Sequence, residues 1–306
     1  MRTALVIPSL GGRHLADCLR SAAALTPPPD ELLLVLSGGA TPPAAAAPFS
    51  LIPSDRRLGY AAAVNLGLSS LTEDIEAVAV LNDDALAEPG WLANLCRFLE
   101  QHPDVAAVQT TVVTADGSRV DGRGIAFDRW ALPVQVDRGE SFSDDRGERP
   151  LVAVSGTACV LRMQALRQIA LANSEFFDET FDSYHEDLDL GLRLRRSGWM
   201  ATWTGGTPVR HLGSASGSTF SWRHPWWLLA NRWRALAGNL TPGGLLRATP
   251  RLLRGELRAV NTLAGSNPRV VPVAAATLLS TPWLVLRGWL RSTPGPRLDA
   301  IPETVS

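Results

Sequence analysis

The feature that most constrains this chain is an alternation. Short apolar runs of strand length are each followed by a segment with helical spacing, and each run ends in a polar or glycine-rich corner. Thr3 to Ile7 closes at Pro8-Ser9. Leu15, Cys18, Leu19, Ala22 and Leu25 then fall on one helix face, which Pro27-Pro28-Pro29 ends. Leu32 to Leu36 stops at Ser37-Gly38-Gly39, and a Pro/Ala stretch from Pro42 to Pro48 reads as a surface loop. Ala61, Val64, Leu68 and Leu71 mark a second helix. Ala77 to Leu81 runs straight into Asn82-Asp83-Asp84. Leu92, Leu95, Cys96 and Leu99 predict a third helix, and Val105 to Val113 a further strand. Strands alternating with helices predict the α/β class, with a parallel sheet and right-handed crossovers. Ligands of such sheets sit beyond the carboxyl ends of the strands. Pro8, Ser9, Ser37 and Asn82-Asp83-Asp84 are therefore expected at one mouth.

The rest of the chain is less regular. Residues 117–149 are polar and Gly-rich, and read as an irregular, partly mobile insertion. Leu151 to Val154 predicts a strand, followed by Gly156-Thr157-Ala158. Leucines alternate at 188, 190, 192 and 194, a pattern that does not separate strand from helix.

Composition excludes several classes. With 45% apolar and 19% charged residues, the chain can bury a full core and is not intrinsically disordered. A net charge of −1 argues against a protein held on nucleic acid by its overall charge. All 29 bases are arginine, which excludes Schiff-base lysines and P-loop lysines. Cys18, Cys96 and Cys159 have neither zinc nor disulfide spacing and suggest a reducing compartment. The start of the chain lacks the length and cleavage site of a secretory signal, so a cytoplasmic location is expected.

Four segments carry chemistry. Asn82-Asp83-Asp84, directly after a strand, suits a hard divalent cation, although taken alone a solvated turn is the better explanation. Tyr184 to Asp189 places three acids in four residues, fit for a proton acceptor or for the first turn of a helix. Gly59 to Gly67 is rich in small residues that permit close backbone approach, with a polar Asn65 beside an apolar face. His211 becomes a ligand only with carboxylates near it.

Taken together and in order, these segments resemble the family 2 glycosyltransferases of the GT-A fold, closest to the bacterial rhamnosyltransferase-like branch. The matching pieces are Gly59 to Gly67, Asn82-Asp83-Asp84, Phe177-Asp178-Glu179 with Tyr184 to Asp189, Gly198-Trp199 and Val209-Arg210-His211. The resemblance covers roughly residues 3–215. It implies a mixed sheet flanked by helices and an enzyme that transfers a sugar from a nucleotide-sugar donor, a dTDP- or UDP-sugar, with inversion. The acceptor would be a glycan or a lipid-linked sugar in cell-surface polysaccharide synthesis. It implies that Asp84 and His211 bind a divalent metal, Mg²⁺ or Mn²⁺. Asp187 would be the base, supported by Glu186 and Asp189. Pro8, Ser9, Ser37, Arg57, Gly59, Asn65, Asn82 and Asp83 would line the donor site. Gly156, Thr157, Asp189 and Trp199 would face the donor sugar or acceptor.

The chain departs from the family pattern in three places. Asn82 stands where the first acid of the Asp-x-Asp is usual, Leu36-Ser37 replaces the acid after the second strand, and Arg57 replaces an Asn. Arg57 offers a bidentate grip on phosphate instead. A second reading follows from the two lost acids: a catalytically weakened GT-A protein that binds a nucleotide sugar or a membrane.

The last third is a separate block by charge. Residues 1–211 carry a balance of −9, and residues from 212 onward a balance of +8 with six of the ten tryptophans. The sequence divides into a catalytic domain, 1–215, and a basic helical region, 216–306. Trp222, Trp226, Trp227 and Trp233 open that region. Arg247, Arg251, Arg254 and Arg258 recur at helical spacing, and Val270 to Leu286 is uncharged. A peripheral anchor on an anionic membrane face and a helical tail docked on the acidic domain fit equally.

Overall fold

The structure, a computed structural model, describes residues 1–144, 146–213, 223–265, 270–291, 293 and 295–302. Trp222 and Glu303, which contribute to the tail's composition, lie outside the described residues. Strands β1 (Thr3–Ser9), β2 (Glu31–Ser37), β3 (Ser50–Ser54) and β4 (Ala77–Leu81) run parallel in the order β4-β1-β2-β3. Helices α1 (Leu15–Ala23) and α2 (Tyr60–Ser69) connect them. Strands β1 and β4 are buried on both faces, which is why they read as unbroken apolar runs. Strand β3 was not expected: Pro53 marks it as a non-strand, and it is tolerated because β3 is the sheet edge.

After β4 the chain makes β5 (Ala85–Ala87), α3 (Trp91–Gln101), β6 (Val105–Gln109) and β7 (Val112–Thr114). The single strand expected from Val105 to Val113 is thus two. The chain leaves the main sheet at Thr110-Thr111 and enters a smaller one. Residues 117–149 also differ from expectation, since they fold into β8 (Val120–Gly122), β9 (Ile125–Phe127) and β10 (Pro133–Gln135), with Ile125, Ala126 and Phe127 buried. Three-residue strands are too short to show a periodicity. Then come β11 (Glu148–Leu151), β12 (Ala158–Arg162) and α4 (Met163–Ile169). The strand expected from Leu151 to Val154 therefore ends where that stretch begins.

The remaining elements are α5 (Glu186–Arg196), β13 (Met200–Thr204), β14 (Val209–His211), α6 (Arg223–Asn239), α7 (Pro242–Ala264) and α8 (Val270–Leu290). The main sheet has the order β11-β13-β6-β12-β4-β1-β2-β3 and is mixed, because β12 and β11 run antiparallel to their neighbours. A second sheet has the order β5-β14-β7-β8.

The alternating leucines belong to a helix covered on two sides. Leu190 and Leu194 of α5 join the core over the main sheet. Leu188 and Leu192 join a separate core with Trp233, Leu236 and Leu240 of the α6 region. Helix α6 is in turn crossed by α8, where Gly288 sits so close that an added Cβ would lie 2.9 Å from both Ala237 Cβ and Gly238 N. The helical C-terminal segment therefore packs onto α5, the helix that carries Glu186 and Asp187.

Candidate active site

The carboxyl ends of β1, β2 and β4 open on one mouth, as the alternation required. Pro8 is buried within β1, paired with Val35, and Ser9 is the first side chain at the rim. Ser9 Oγ donates to Asp83 Oδ2 at 2.5 Å and accepts from Gly11 N at 2.9 Å, which ties the ends of β1 and β4 together. Burial pushes the Asp83 carboxyl above its usual range, Asp84 adds to this, and the Ser9 bond opposes it. Ser37 is buried and its Oγ accepts from Leu58 N at 3.4 Å. Arg57 is exposed on the same loop.

His211 is delivered to this mouth by sheet register. Strand β14 pairs antiparallel with β5 so that His211 lies opposite Ala85, next to Asp84. Asp84 is only 3% exposed, and its Oδ2 lies 3.3 Å from His211 Nε2 without the alignment of a hydrogen bond. On the far side of the ring, Nδ1 meets Asp121 Oδ2 at 2.8 Å, and Asp121 Oδ1 pairs with Arg138 at 3.2 Å. Burial pulls the His211 pKa down, but Asp121 and Asp84 outweigh it and raise it to about 9. The spot thus stabilises positive charge. A buried carboxylate oxygen without a hydrogen-bond donor faces an imidazole that is oriented by a second carboxylate. That donor set fits a divalent cation. Among the described residues no three His, Cys, Asp or Glu side chains converge on one point. Two protein ligands would thus share the ion with oxygen atoms of a substrate, the common arrangement for Mg²⁺ with phosphates.

The candidate base sits across the mouth. Asp187 is half-buried on the first turn of α5, where Oδ1 accepts from Leu188 N at 2.8 Å and Oδ2 from Gly156 N at 3.3 Å. Burial raises its pKa. Glu186 is raised well above the usual carboxylate range by burial and by the neighbouring Asp187, and its Oε2 is buried without a hydrogen-bond donor. The loop leading in is strained: Asp182, Tyr184 and His185 all have φ between 62° and 70°. Non-glycine residues in this region cost of order 1–3 kcal/mol each and persist only when their surroundings hold them. Asn231 of α6 does so, donating through Nδ2 to the carbonyls of Phe181, Ser183 and Tyr184 at 2.8, 3.0 and 3.0 Å. Gly59 completes the fit, because a Cβ there would lie 2.7 Å from the Asp182 carbonyl.

Residues 156 and 157 join the two halves. Asn82 N donates to Thr157 O at 2.9 Å, while Gly156 N reaches Asp187. Tyr60 Oη donates to Gly156 O at 2.6 Å. Asn82 and Thr157 are themselves half-buried at the junction.

Three residues have other neighbours than the sequence suggested. Asp189 is 0% exposed and is withdrawn from the substrate-facing set. Its carboxylate pairs with Arg193 at 2.9 Å and with Arg291, and accepts from Asn239 at 2.8 Å. Trp199 is corrected too. Strand β13 runs parallel to β6, so its first residues lie at the edge of the sheet opposite the mouth. Trp199 there donates through Nε1 to Gln168 at 2.8 Å. Asn65 holds a loop, donating to Phe177 O at 2.8 Å and Glu179 at 3.1 Å and accepting from Phe176 N and Phe177 N. Asp121, Tyr60 and Asn231 were missed. Asp121 lies in the stretch read as irregular, and Asn231 on a helix read only for its basic and aromatic residues.

The family model for glycosyl transferase family 2 matches residues 6–170, more than half of the chain. The chain belongs to glycosyl transferase family 2. As a member it is a glycosyltransferase, and it is rhamnosyltransferase-like. It is 28% identical over 258 residues to the N-acetylglucosaminyl-diphospho-decaprenol L-rhamnosyltransferase of Mycobacterium tuberculosis, covering 70% of this chain and 80% of that protein. Its fold resembles GalNAc-T7, solved with UDP, GalNAc and Mn²⁺, at a TM-score of 0.58 and 13% identity over 79% of this chain. The match spans about half of that protein, 48%. It also resembles the mannosyltransferase PcManGT of Pyrobaculum calidifontis, solved with GDP-Man and Mn²⁺, at 0.53 and 17% identity, covering 94% and 79% of the two chains. These glycosyltransferases share the GT-A fold with it. The family match ends at residue 170, before Asp187 and His211.

Proposed function

We propose that this glycosyltransferase moves a sugar, with rhamnose the favoured case, from a dTDP- or UDP-sugar to a lipid-linked or glycan acceptor, with inversion at the sugar carbon. The mycobacterial relative, an N-acetylglucosaminyl-diphospho-decaprenol L-rhamnosyltransferase, supports the sugar and the lipid-linked acceptor. The observation that carries the mechanism is the link just described: Asn82 to Thr157 and Gly156 to Asp187 fix the Asp84–His211 pair and the base candidate on one short segment. Asp84 and His211 would hold a divalent cation, and such an ion offsets the negative charge that develops on a leaving diphosphate. Both Mn²⁺-containing neighbours support that choice. Asp187 takes the proton from the acceptor hydroxyl as that oxygen attacks the sugar carbon. The products are a nucleoside diphosphate, the new glycosidic bond and a protonated Asp187. Ser9, Asp83 and Ser37 border the nucleotide side, and Arg57 on the exposed rim is within the donor face.

We also read the C-terminal helices as a cover that rests on a cytoplasmic membrane face. Leu246 (74% exposed) and Leu257 of α7 and Leu279 (85% exposed), Trp283 and Leu286 of α8 are apolar and open. Exposed Arg254 and Arg258 flank them. Helix α8 is long and apolar enough to cross a membrane, yet its buried face is held by α6, which favours an interfacial position. Arg251 does the other job weighed for these arginines, donating to the carbonyls of Asp128 and Arg129.

The test is an assay of dTDP- and UDP-sugars with an N-acetylglucosaminyl-diphospho-lipid and Mn²⁺. The expected result is transfer that chelation abolishes and that yields the inverted anomer. Nucleotide binding without transfer or hydrolysis of any donor would instead favour the weakened, ligand-binding reading, which Asn82 in place of an acid motivates.

A further inference from the structure

A groove of about 640 Å³ opens beside the loop that leads to Asp187, between the first turns of α6 and α8. Asp182 and Arg223 are the charged residues of its lining, and Trp226, Trp227, Val273 and Ala276 form most of its wall. Tyr184 ties it to the base. Its ring stacks on Trp227 at 6.1 Å and meets His224 edge-on at 5.2 Å, three residues before Asp187. Val273 and Ala276 place α8 in its wall, and Leu278 and Leu279 further along that helix are exposed.

Three observations identify the occupant. The wall is apolar and aromatic, while Asp182, on the loop before Asp187, adds a carboxylate and Arg223 a guanidinium, so the groove suits an amphiphile with its head toward Asp187. Arg223 matches an anionic phosphate head, and Asp182 offers acceptors to sugar hydroxyls. The volume lies in the range of small-molecule pockets and takes only the first few units of a long hydrocarbon, and exposed α8 side chains add further apolar surface.

We propose that this groove binds the phosphate-proximal isoprene units of a lipid-linked diphosphate acceptor, which places the acceptor sugar at Asp187. The proposal rests on the transfer reaction above and adds the acceptor site to it. The strained 182–185 loop then has a second role, since it is shared by the base and by the acceptor groove. Selectivity for a lipid-linked acceptor is set by the seam between α6 and α8.

The experiment compares N-acetylglucosaminyl diphosphates carrying a decaprenyl chain or a short water-soluble alkyl chain, with dTDP-rhamnose and Mn²⁺ in detergent. The ratio of kcat/KM for the long and short acceptors is read within each preparation, so a partly unfolded variant does not mimic the effect. Wild type should prefer the long chain. Ala276→Trp, which fills the groove, should lower the ratio at least tenfold, and Val273→Asp should lower it in the same direction. Co-sedimentation with phosphatidylglycerol vesicles should match wild type for both variants. A ratio within twofold of wild type in both variants would overturn the proposal, as would a loss of vesicle binding that accounts for the change. Equal kcat/KM for the two acceptors in wild type would remove the groove and leave the transfer reaction standing. Transfer by wild type to neither acceptor would remove both.

Discussion

The backbone amide of Gly156 points at Asp187, with N to Oδ2 at 3.3 Å. The same peptide segment is gripped from the other side, where Tyr60 Oη donates to Gly156 O at 2.6 Å. The corner before β12 thereby fixes the base relative to the end of β4. Tyr60→Phe should leave the fold intact and lower kcat about fivefold, with donor Kd within twofold, since one such hydrogen bond contributes about 1 kcal/mol. Isothermal titration with the nucleoside diphosphate alongside steady-state kinetics separates the two effects.

Asp121 is the clearest residue that acts through another. Its bond to His211 Nδ1 orients the ring whose Nε2 faces Asp84. Outer carboxylates of this kind typically matter 10–100-fold in metal affinity. Asp121→Ala should therefore raise the Mn²⁺ concentration for half-maximal transfer by about 10–100-fold while saturating Mn²⁺ restores much of the rate. A Mn²⁺ titration of activity, with free Mn²⁺ followed by paramagnetic resonance, checks it.

The pH profile should carry the signature of two crowded carboxyls. Burial raises both Glu186 and Asp187, and Asp187 raises Glu186 further. A base must be ionised, so the rate should fall as pH drops through a value above the ordinary carboxylate range. The two groups titrate as a pair. Glu186, the more strongly raised of the two, keeps its proton while Asp187 ionises, so the neutral replacement Glu186→Gln should leave the acid limb of kcat/KM against pH in place.

Asp189 should behave as a structural group. Removing its carboxylate leaves Arg193 and Arg291 buried without their partner, a change that usually costs about 3–5 kcal/mol. Asp189→Ala should lower the denaturant midpoint by a corresponding amount. Burial alone would raise this carboxyl, but Arg291 and Arg193 outweigh it and hold it at about 2. A pKa depressed below the unfolded value of about 3.9 contributes stability that is present above pH 4. That contribution, roughly 2–3 kcal/mol, is lost as pH falls toward 2. Acid unfolding of wild type followed by circular dichroism should show this loss, and Asp189→Ala should lack it.

Much of the mouth was legible because strand ends are local features. Ser9, Ser37 and Asn82 to Asp84 each follow an apolar run, and β1, β2 and β4 end there in the structure. The family order of motifs added Asp187 and His211. What was not legible depends on packing between distant segments. Asp189 sits in the same acid cluster as Asp187, two residues along the helix, and its carboxylate meets Arg193, Arg291 and Asn239. Trp199 follows α5 closely in sequence, but the parallel course of β13 sends it to the far edge. Asp121 lies in a three-residue strand whose partner strand has no periodic signal. The alternating leucines of α5 mimic a strand because the helix has two apolar faces, one on the sheet and one on α6.

In the proposed mechanism Asp187 accepts the proton of the acceptor hydroxyl at a mouth where Asp84 and His211 would hold the metal. The most direct measurement is Asp187→Asn, assayed for sugar transfer and for donor binding on the same preparation. Transfer should fall about 10²–10⁴-fold, the usual contribution of a general base, with donor Kd within twofold of wild type. Turnover within tenfold of wild type, or donor binding lost together with activity, would contradict it.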